Sequence, residues 1–136
     1  MRWKQRFENF EKSFKLLGKY SKQPISTELE RAGIIQFFET TFELAWKVLK
    51  DYLEAECYVA KSPRESIKQA FQAEIIADGH LWMNALSKRN LTSHTYDEEL
   101  AKKLVNEIQE QFLPILKYNK LRFYVKCGGV ESTHHI

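Results

Sequence analysis

The sequence predicts an all-α protein, an antiparallel bundle of about five helices. Three observations lead there. Apolar residues recur at threes and fours along most of the chain, the spacing of one helical face. No run alternates convincingly with period two, apart from an ambiguous LRFYV at 121–125. Only 5 Gly and 3 Pro are present, few for a β-rich fold full of tight turns.

Segment 2–20, RWKQRFENFEKSFKLLGKY, places Trp3, Phe7, Phe10, Phe14, Leu16 and Leu17 on a helical stripe, with lysines and glutamates opposite. Gly18 is its expected terminator. SKQPIS then forms a loop, because Pro24 biases Gln23 towards extended backbone. Segment 26–58 is the longest and most apolar. Ile34, Ile35, Phe38, Phe42, Ala45, Trp46, Leu49, Tyr52 and Leu53 make a wide stripe, which Phe37, Leu44 and Val48 extend to a second side. A helix apolar on two sides is central or faces a partner chain.

The third helix opens at SPRE, with Ser62 as N-cap, Pro63 in the first helical position and Glu65 as the reciprocal cap. It carries Ile67, Ala70, Phe71, Ile75 and Ile76, and Asp78-Gly79 is expected to break it. A short fourth helix follows with Trp82, Met83, Ala85 and Leu86 inside. The last begins after Thr95, with Thr95 and Glu98 read as a capping box. Its inner face is Leu100, Leu104, Val105, Ile108, Phe112, Ile115 and Leu116. Pro114 should kink it or end its regular part. Residues 1–126 thus form the bundle, and 127–136, with Gly128-Gly129, a flexible C-terminal tail.

A chain of 136 residues is the size of one domain and long enough to bury a core. Lys and Arg total 21 against 18 Asp and Glu, a formal charge of +3 that permits an anionic partner without demanding one. Cys57 and Cys127 form no metal-ligand spacing. With no apolar stretch long enough to span a membrane and no secretory leader, the expected home is a reducing cytoplasm.

The chemistry concentrates in RNLTSHTY, residues 89–96. Arg89 and His94 are five apart, so on an unbroken helix they would diverge by about 140°. They converge only if the helix ends between them or two chains meet. Thr92 and Ser93 are poor interior helix residues, which supplies the break. A fixed cation, an imidazole and the phenol of Tyr96 then gather near a helix N-terminus, where free N–H groups suit a phosphate. Histidine exchanges protons near neutral pH. Arg plus His without an acidic metal cage suits cleavage of RNA through its own 2′-hydroxyl, with neither metal nor cofactor. The same eight residues also describe an ordinary capping turn, in which Arg89 binds a carboxylate such as Glu98.

Wider blocks bear on the choice. GIIQFFETTFELAWKVLKDYL at 33–53, SPRESIKQAFQAEII at 62–76, DGHLWMNALSKRN at 78–90 and LTSHTYDEELA at 91–101 resemble the nucleotidyltransferase substrate-binding protein family, of the HEPN superfamily. The resemblance runs from about Trp3 to Phe123. It implies a bundle like the helical C-terminal domain of aminoglycoside nucleotidyltransferases, and a separately encoded minimal nucleotidyltransferase as partner. In many HEPN proteins an Arg-x4-6-His motif carries metal-independent RNase activity in a site shared across a homodimer. Arg89 and His94 match it as the catalytic pair, and Asn90 is the polar residue after the arginine. Some members are toxins silenced when the transferase adds AMP to the tyrosine of Arg-x4-His-x-Tyr, the position of Tyr96. The family's alternative role is that of a non-catalytic subunit presenting substrate to the transferase.

Other residues carry weaker signals. Phe38, Phe42 and Trp46 share a helical face that packs in a core or stacks a base. Glu39 and Glu43 form a solvated face, unless the second helix lines the cleft and they order Arg89 or His94. Trp82 reads as core near the active turn, His80 as a capping or packing residue, and His134-His135 as incidental. Lys88, Lys102 and Lys103 either steer RNA or solubilise the surface.

Overall fold

The computed structural model describes residues 2–91 and 97–126; for Arg2, Asn90 and Leu91 it describes the backbone alone. The described residues contain no strand. They form α1 (Arg2–Ser21), α2 (Glu28–Ala55), α3 (Pro63–Gln72), α4 (Gly79–Leu91), α5 (Glu98–Glu107), a π turn (Ile108–Phe112) and α6 (Leu113–Lys126). α5, the π turn and α6 follow one another without a break, so the bundle has five rods. The LRFYV run is helical and lies in α6.

Side-chain contacts fix the directions. Trp3 meets Tyr52, Ser13 bonds Thr41 at 2.6 Å and Tyr20 stacks on Phe37, so α1 and α2 are antiparallel. Trp3 also meets Phe123, and Gln109 Nε2 donates to the Ser21 carbonyl at 2.9 Å, so the fifth rod is antiparallel to α1. It therefore runs parallel to α2. Arg31 bonds Glu98 at one end, Phe38 stacks on Phe112 midway and Tyr52 meets Phe123 at the other.

α2 is the central helix, the first of the two placements that its two apolar sides allow. Phe38, Phe42, Ala45, Leu49 and Leu53 are wholly buried, and Val48 nearly so. They join Trp3, Phe7, Phe10, Leu17, Ile67, Trp82, Ile108, Phe112, Leu116 and Phe123 in one core cluster. Three residues read as inward face outward instead: Leu16, Phe71 and Leu100 are 42%, 51% and 55% exposed.

Helix ends depart from the reading in ways that local hydrogen bonding explains. α1 runs through Gly18 to Ser21, whose hydroxyl donates to the Leu17 carbonyl; nothing lies within 4 Å of a Cβ placed on Gly18. α2 starts at Glu28 behind a full capping box of Thr27 and Glu30. Ser62 caps α3 as expected, accepting from Glu65 N–H at 3.1 Å, while Glu65 returns to the Lys61 N–H. α3 stops at Gln72, six residues before Asp78. Glu74 takes a left-handed φ of 61°, and Ile75 N–H donates to the Ala70 carbonyl at 2.8 Å. Glu74 N–H donates to Phe71 at 3.0 Å, completing a Schellman cap without glycine. α2 ends alike: Cys57 has φ 70°, and Tyr58 N–H donates to Leu53 at 2.9 Å.

α5 is capped by Asp97, whose side chain accepts from the N–H groups of Glu99 and Leu100. Glu98 is therefore the first helical residue rather than the third; Thr95, read as its capping-box partner, lies outside the described residues. Before Pro114 the α pattern widens to a π turn, with Leu113 N–H donating to the Ile108 carbonyl. Proline has no N–H and crowds the carbonyl four residues back, and the wider turn accommodates both. Residues 127–136, read as a flexible tail, lie outside the described residues.

Candidate functional site

α4 carries Arg89 on its last turn. Its position follows from the core beneath. Trp82 lies seven residues earlier, hence on nearly the same helical face, and is buried against Phe42 of α2 at a ring separation of 5.5 Å. The residue after Phe42 is Glu43. Arg89 Nη1 meets both oxygens of that carboxylate, at 2.8 Å and 2.6 Å. Trp46 Nε1 donates to the same carboxylate at 2.8 Å. The pair is part-buried, with side-chain exposures of 21% for Arg89 and 32% for Glu43. Beside it opens a pocket of about 320 Å³ lined by Glu39, Thr40, Glu43, Leu44 and Arg89.

Of the site residues read from the sequence, Arg89 is thus anchored, and its carboxylate partner is Glu43 rather than Glu98. Glu98 instead pairs with Arg31, whose Nη1 also donates to the Ser26 carbonyl at 3.1 Å. For Asn90 only the backbone is described, at the penultimate position of α4. His94 and Tyr96 lie outside the described residues, in the stretch between α4 and the Asp97 cap of α5.

Phe38 and Phe42 are wholly buried, so they are core and offer no stacking platform. Trp82 is core beneath the site, as read. His80 is exposed. Lys88 Nζ lies 3.4 Å from Glu107, where it ties α4 to the end of α5 rather than standing open to steer RNA. Lys102 pairs with Glu99 at the surface. Among the described residues, no group of three or more His, Cys, Asp or Glu is placed to hold a metal ion, and no helix is long and apolar enough to cross a membrane. Cys57 is an exposed free thiol; Cys127 and His134-His135 lie outside the described residues.

The comparisons with known proteins agree with this architecture. The family model described as nucleotidyltransferase substrate binding protein like matches residues 5–123. A curated relative from Haemophilus influenzae, named probable ribonuclease HepT, is 32% identical over 84 residues. That match covers 58% of this chain and 58% of the relative. Among solved structures, one from Thermus thermophilus superposes with a TM-score of 0.72 at 30% identity, covering 86% of this chain and 97% of that one. A second, from Haemophilus influenzae, is described as revealing the fold of a substrate binding domain of a nucleotidyltransferase. It superposes with a TM-score of 0.62 at 26% identity, over 88% of this chain and 95% of the other. With a family match over most of its length and the same helical fold in both structures, the chain belongs to the nucleotidyltransferase substrate-binding protein family of the HEPN superfamily.

Proposed function

We propose that this protein is a metal-independent endoribonuclease that works as a homodimer, partnered and silenced by a separately encoded minimal nucleotidyltransferase. The observation that carries the reading is the anchored Arg89: a guanidinium fixed by Glu43 where both line a pocket, five residues ahead of His94. Support also comes from the relative named a probable ribonuclease.

In this reading His94 takes the proton of a ribose 2′-hydroxyl. The 2′ oxygen bonds to phosphorus, the bond to the 5′ oxygen breaks, and that oxygen takes a proton from water as it leaves. Arg89 stabilises the charge that builds on the phosphorane. The products carry 2′,3′-cyclic phosphate and 5′-hydroxyl ends. Asn90 holds the local geometry or the ribose. Tyr96 contacts RNA and is the modification site. When its phenol oxygen attacks the α-phosphorus of ATP and releases pyrophosphate, the adduct sets a phosphate beside Arg89 where RNA must lie.

The test is cleavage of structured RNA by the purified chain in excess chelator, beside His94→Ala and Arg89→Ala. The expected result is cyclic-phosphate ends from the wild type and none from either folded variant. A dimeric, unmodified wild type inert on a varied RNA panel overturns the reading. It would favour a second one, a non-catalytic subunit that binds substrate for the transferase, as the Haemophilus influenzae fold is described. That subunit would raise transferase activity in a mixture and do no harm when expressed alone, whereas the RNase would harm cells until the transferase is co-expressed.

A further inference from the structure

We propose that the outward face of α6 is a docking strip for an acidic amphipathic helix of a partner protein. α6 buries Leu116, Asn119 and Phe123 against the core. On the opposite side it presents Pro114, Tyr118, Leu121 and Val125, all exposed. Tyr118, Leu121 and Val125 are 42%, 56% and 54% exposed, an unusual density of large apolar side chains on one helical face. Their spacing of four, three and four residues is the 3.5-residue repeat of a helix that receives another helix along its length. A surface helix needs one apolar side; this one has two.

The strip continues into a groove. Leu113, Pro114 and Lys117 form one wall of a trough of about 620 Å³, and Phe14, Gly18 and Lys22 belong to the other. The missing side chain at Gly18 leaves the trough open, since nothing lies within 4 Å of a Cβ built there. Two lysines and no carboxylate line it among the described residues.

Charge selects the occupant. α6 contains Lys117, Lys120, Arg122 and Lys126 and no Asp or Glu. At 100° per residue, Lys117 flanks the strip on one side and Arg122 on the other, while Lys120 and Lys126 lie further round, towards the neighbouring helices. Three of them are held in place. Lys120 sits 5.6 Å from the Phe14 ring centre, Lys126 sits 5.1 Å from that of Tyr52, and Arg122 donates to the Glu74 carbonyl at 2.7 Å. Glu74 meets Arg122 through its backbone, so that contact does not neutralise the cation. A second copy of this chain would set like charges against like in either orientation, which disfavours self-pairing. Nucleic acid would answer the cations but gain nothing from Leu121 and Val125. A helix with an apolar 3.5-residue repeat flanked by glutamates answers both. The inference shares no residue with the Arg89 pocket and stands whether or not that pocket cleaves RNA.

The probe is a labelled peptide of three heptads, with Ile and Leu on its seam and Glu flanking it, titrated against the full chain by fluorescence anisotropy. A control peptide has Lys at the flanking positions. The expected result is salt-sensitive binding of the acidic peptide, about tenfold or more tighter than the control. Leu121→Asp should abolish it, and Lys117→Glu with Arg122→Glu should reverse the preference. The exposed sites leave the core intact, which the melting curves of both variants check. Equal binding of the two peptides, or binding indifferent to both variants, overturns the proposal. So does a dimer of the chain that Leu121→Asp splits, which assigns the strip to a second copy. Binding to phosphatidylglycerol vesicles that outcompetes the peptide and is lost in Leu121→Asp also overturns it, in favour of a lipid surface.

Discussion

At Arg89, one terminal nitrogen straddles both oxygens of Glu43, and the same carboxylate accepts the Trp46 indole N–H. A carboxylate held from two sides in turn holds the guanidinium and fixes its direction. Arg89→Ala should therefore abolish the proposed RNA cleavage yet cost about 1 kcal/mol or less of stability, because a part-exposed ion pair contributes little to folding. Glu43→Gln keeps an acceptor for Trp46 and Arg89 but drops the charge, and should slow cleavage about tenfold; Glu43→Ala should slow it about a hundredfold. Single-turnover rates on one RNA at saturating protein check the order. Full activity in Glu43→Ala would show that Arg89 needs no such anchor. The arginine itself was legible in the sequence, because Arg-x4-His is a spaced motif. Its partner was legible only as a condition: Glu43 and Glu39 sat on a helix that would matter if it lined the cleft. The deciding fact is the Phe42–Trp82 contact, which links residues 40 apart in the chain and has no local signature.

Helix starts were easier to read than helix stops, and the reason is chemical. A start advertises itself through a short polar side chain or a proline, as Ser62 and Pro63 do. The stops at Glu74 and Cys57 use a left-handed backbone on residues that carry a Cβ, where glycine is the usual sign. Those two positions bear strain that glycine would relieve. Cys57→Gly and Glu74→Gly should each stabilise the fold by about 0.5–1 kcal/mol. The measurement is the urea midpoint at unchanged slope. A loss of stability in both would mean that side-chain contacts outweigh the backbone term. The start of α2 carries a pH signature. Ser26 N–H and then Thr27 N–H donate to the Glu30 carboxylate, and these bonds hold its pKa below the ordinary 4.5. A group depressed in the folded state stabilises it above the unfolded pKa and loses that contribution as pH falls through the folded value. Thermal melts from about pH 6 down to about pH 3 should thus show an acid-side loss that shrinks in Glu30→Gln. Identical acid profiles in the two proteins would exclude Glu30 as a source.

The whole molecule is organised by α2, which touches α1, α3, α4 and α5. Two aromatic contacts on adjacent turns of that helix do different work. Phe38 stacks on Phe112 of the π turn at 5.4 Å and fixes the long fifth rod. Phe42 meets Trp82 at 5.5 Å and fixes α4, hence the reach from Glu43 to Arg89. The sequence periodicity already placed all four residues inside, so the bundle was legible as a set of faces. Which face meets which was not, because helical spacing says what is buried and nothing about the neighbour. The pairing predicts that damage at Trp82 reaches the site. Trp82→Ala opens a cavity in the core and should cost about 3–5 kcal/mol, a large share of the roughly 5–15 kcal/mol that a domain commands. Trp82→Phe keeps a ring against Phe42 and should cost about half as much. Assayed at a temperature where circular dichroism shows both variants folded, Trp82→Phe should cleave RNA within about threefold of wild type. Trp82→Ala should fall by about tenfold or more, because a shift of α4 by about 1 Å is enough to misplace the guanidinium. If folded Trp82→Ala cleaves at the wild-type rate, the ion pair with Glu43 holds Arg89 without help from the core, and α4 is positioned by its other contacts, Lys88 with Glu107 among them.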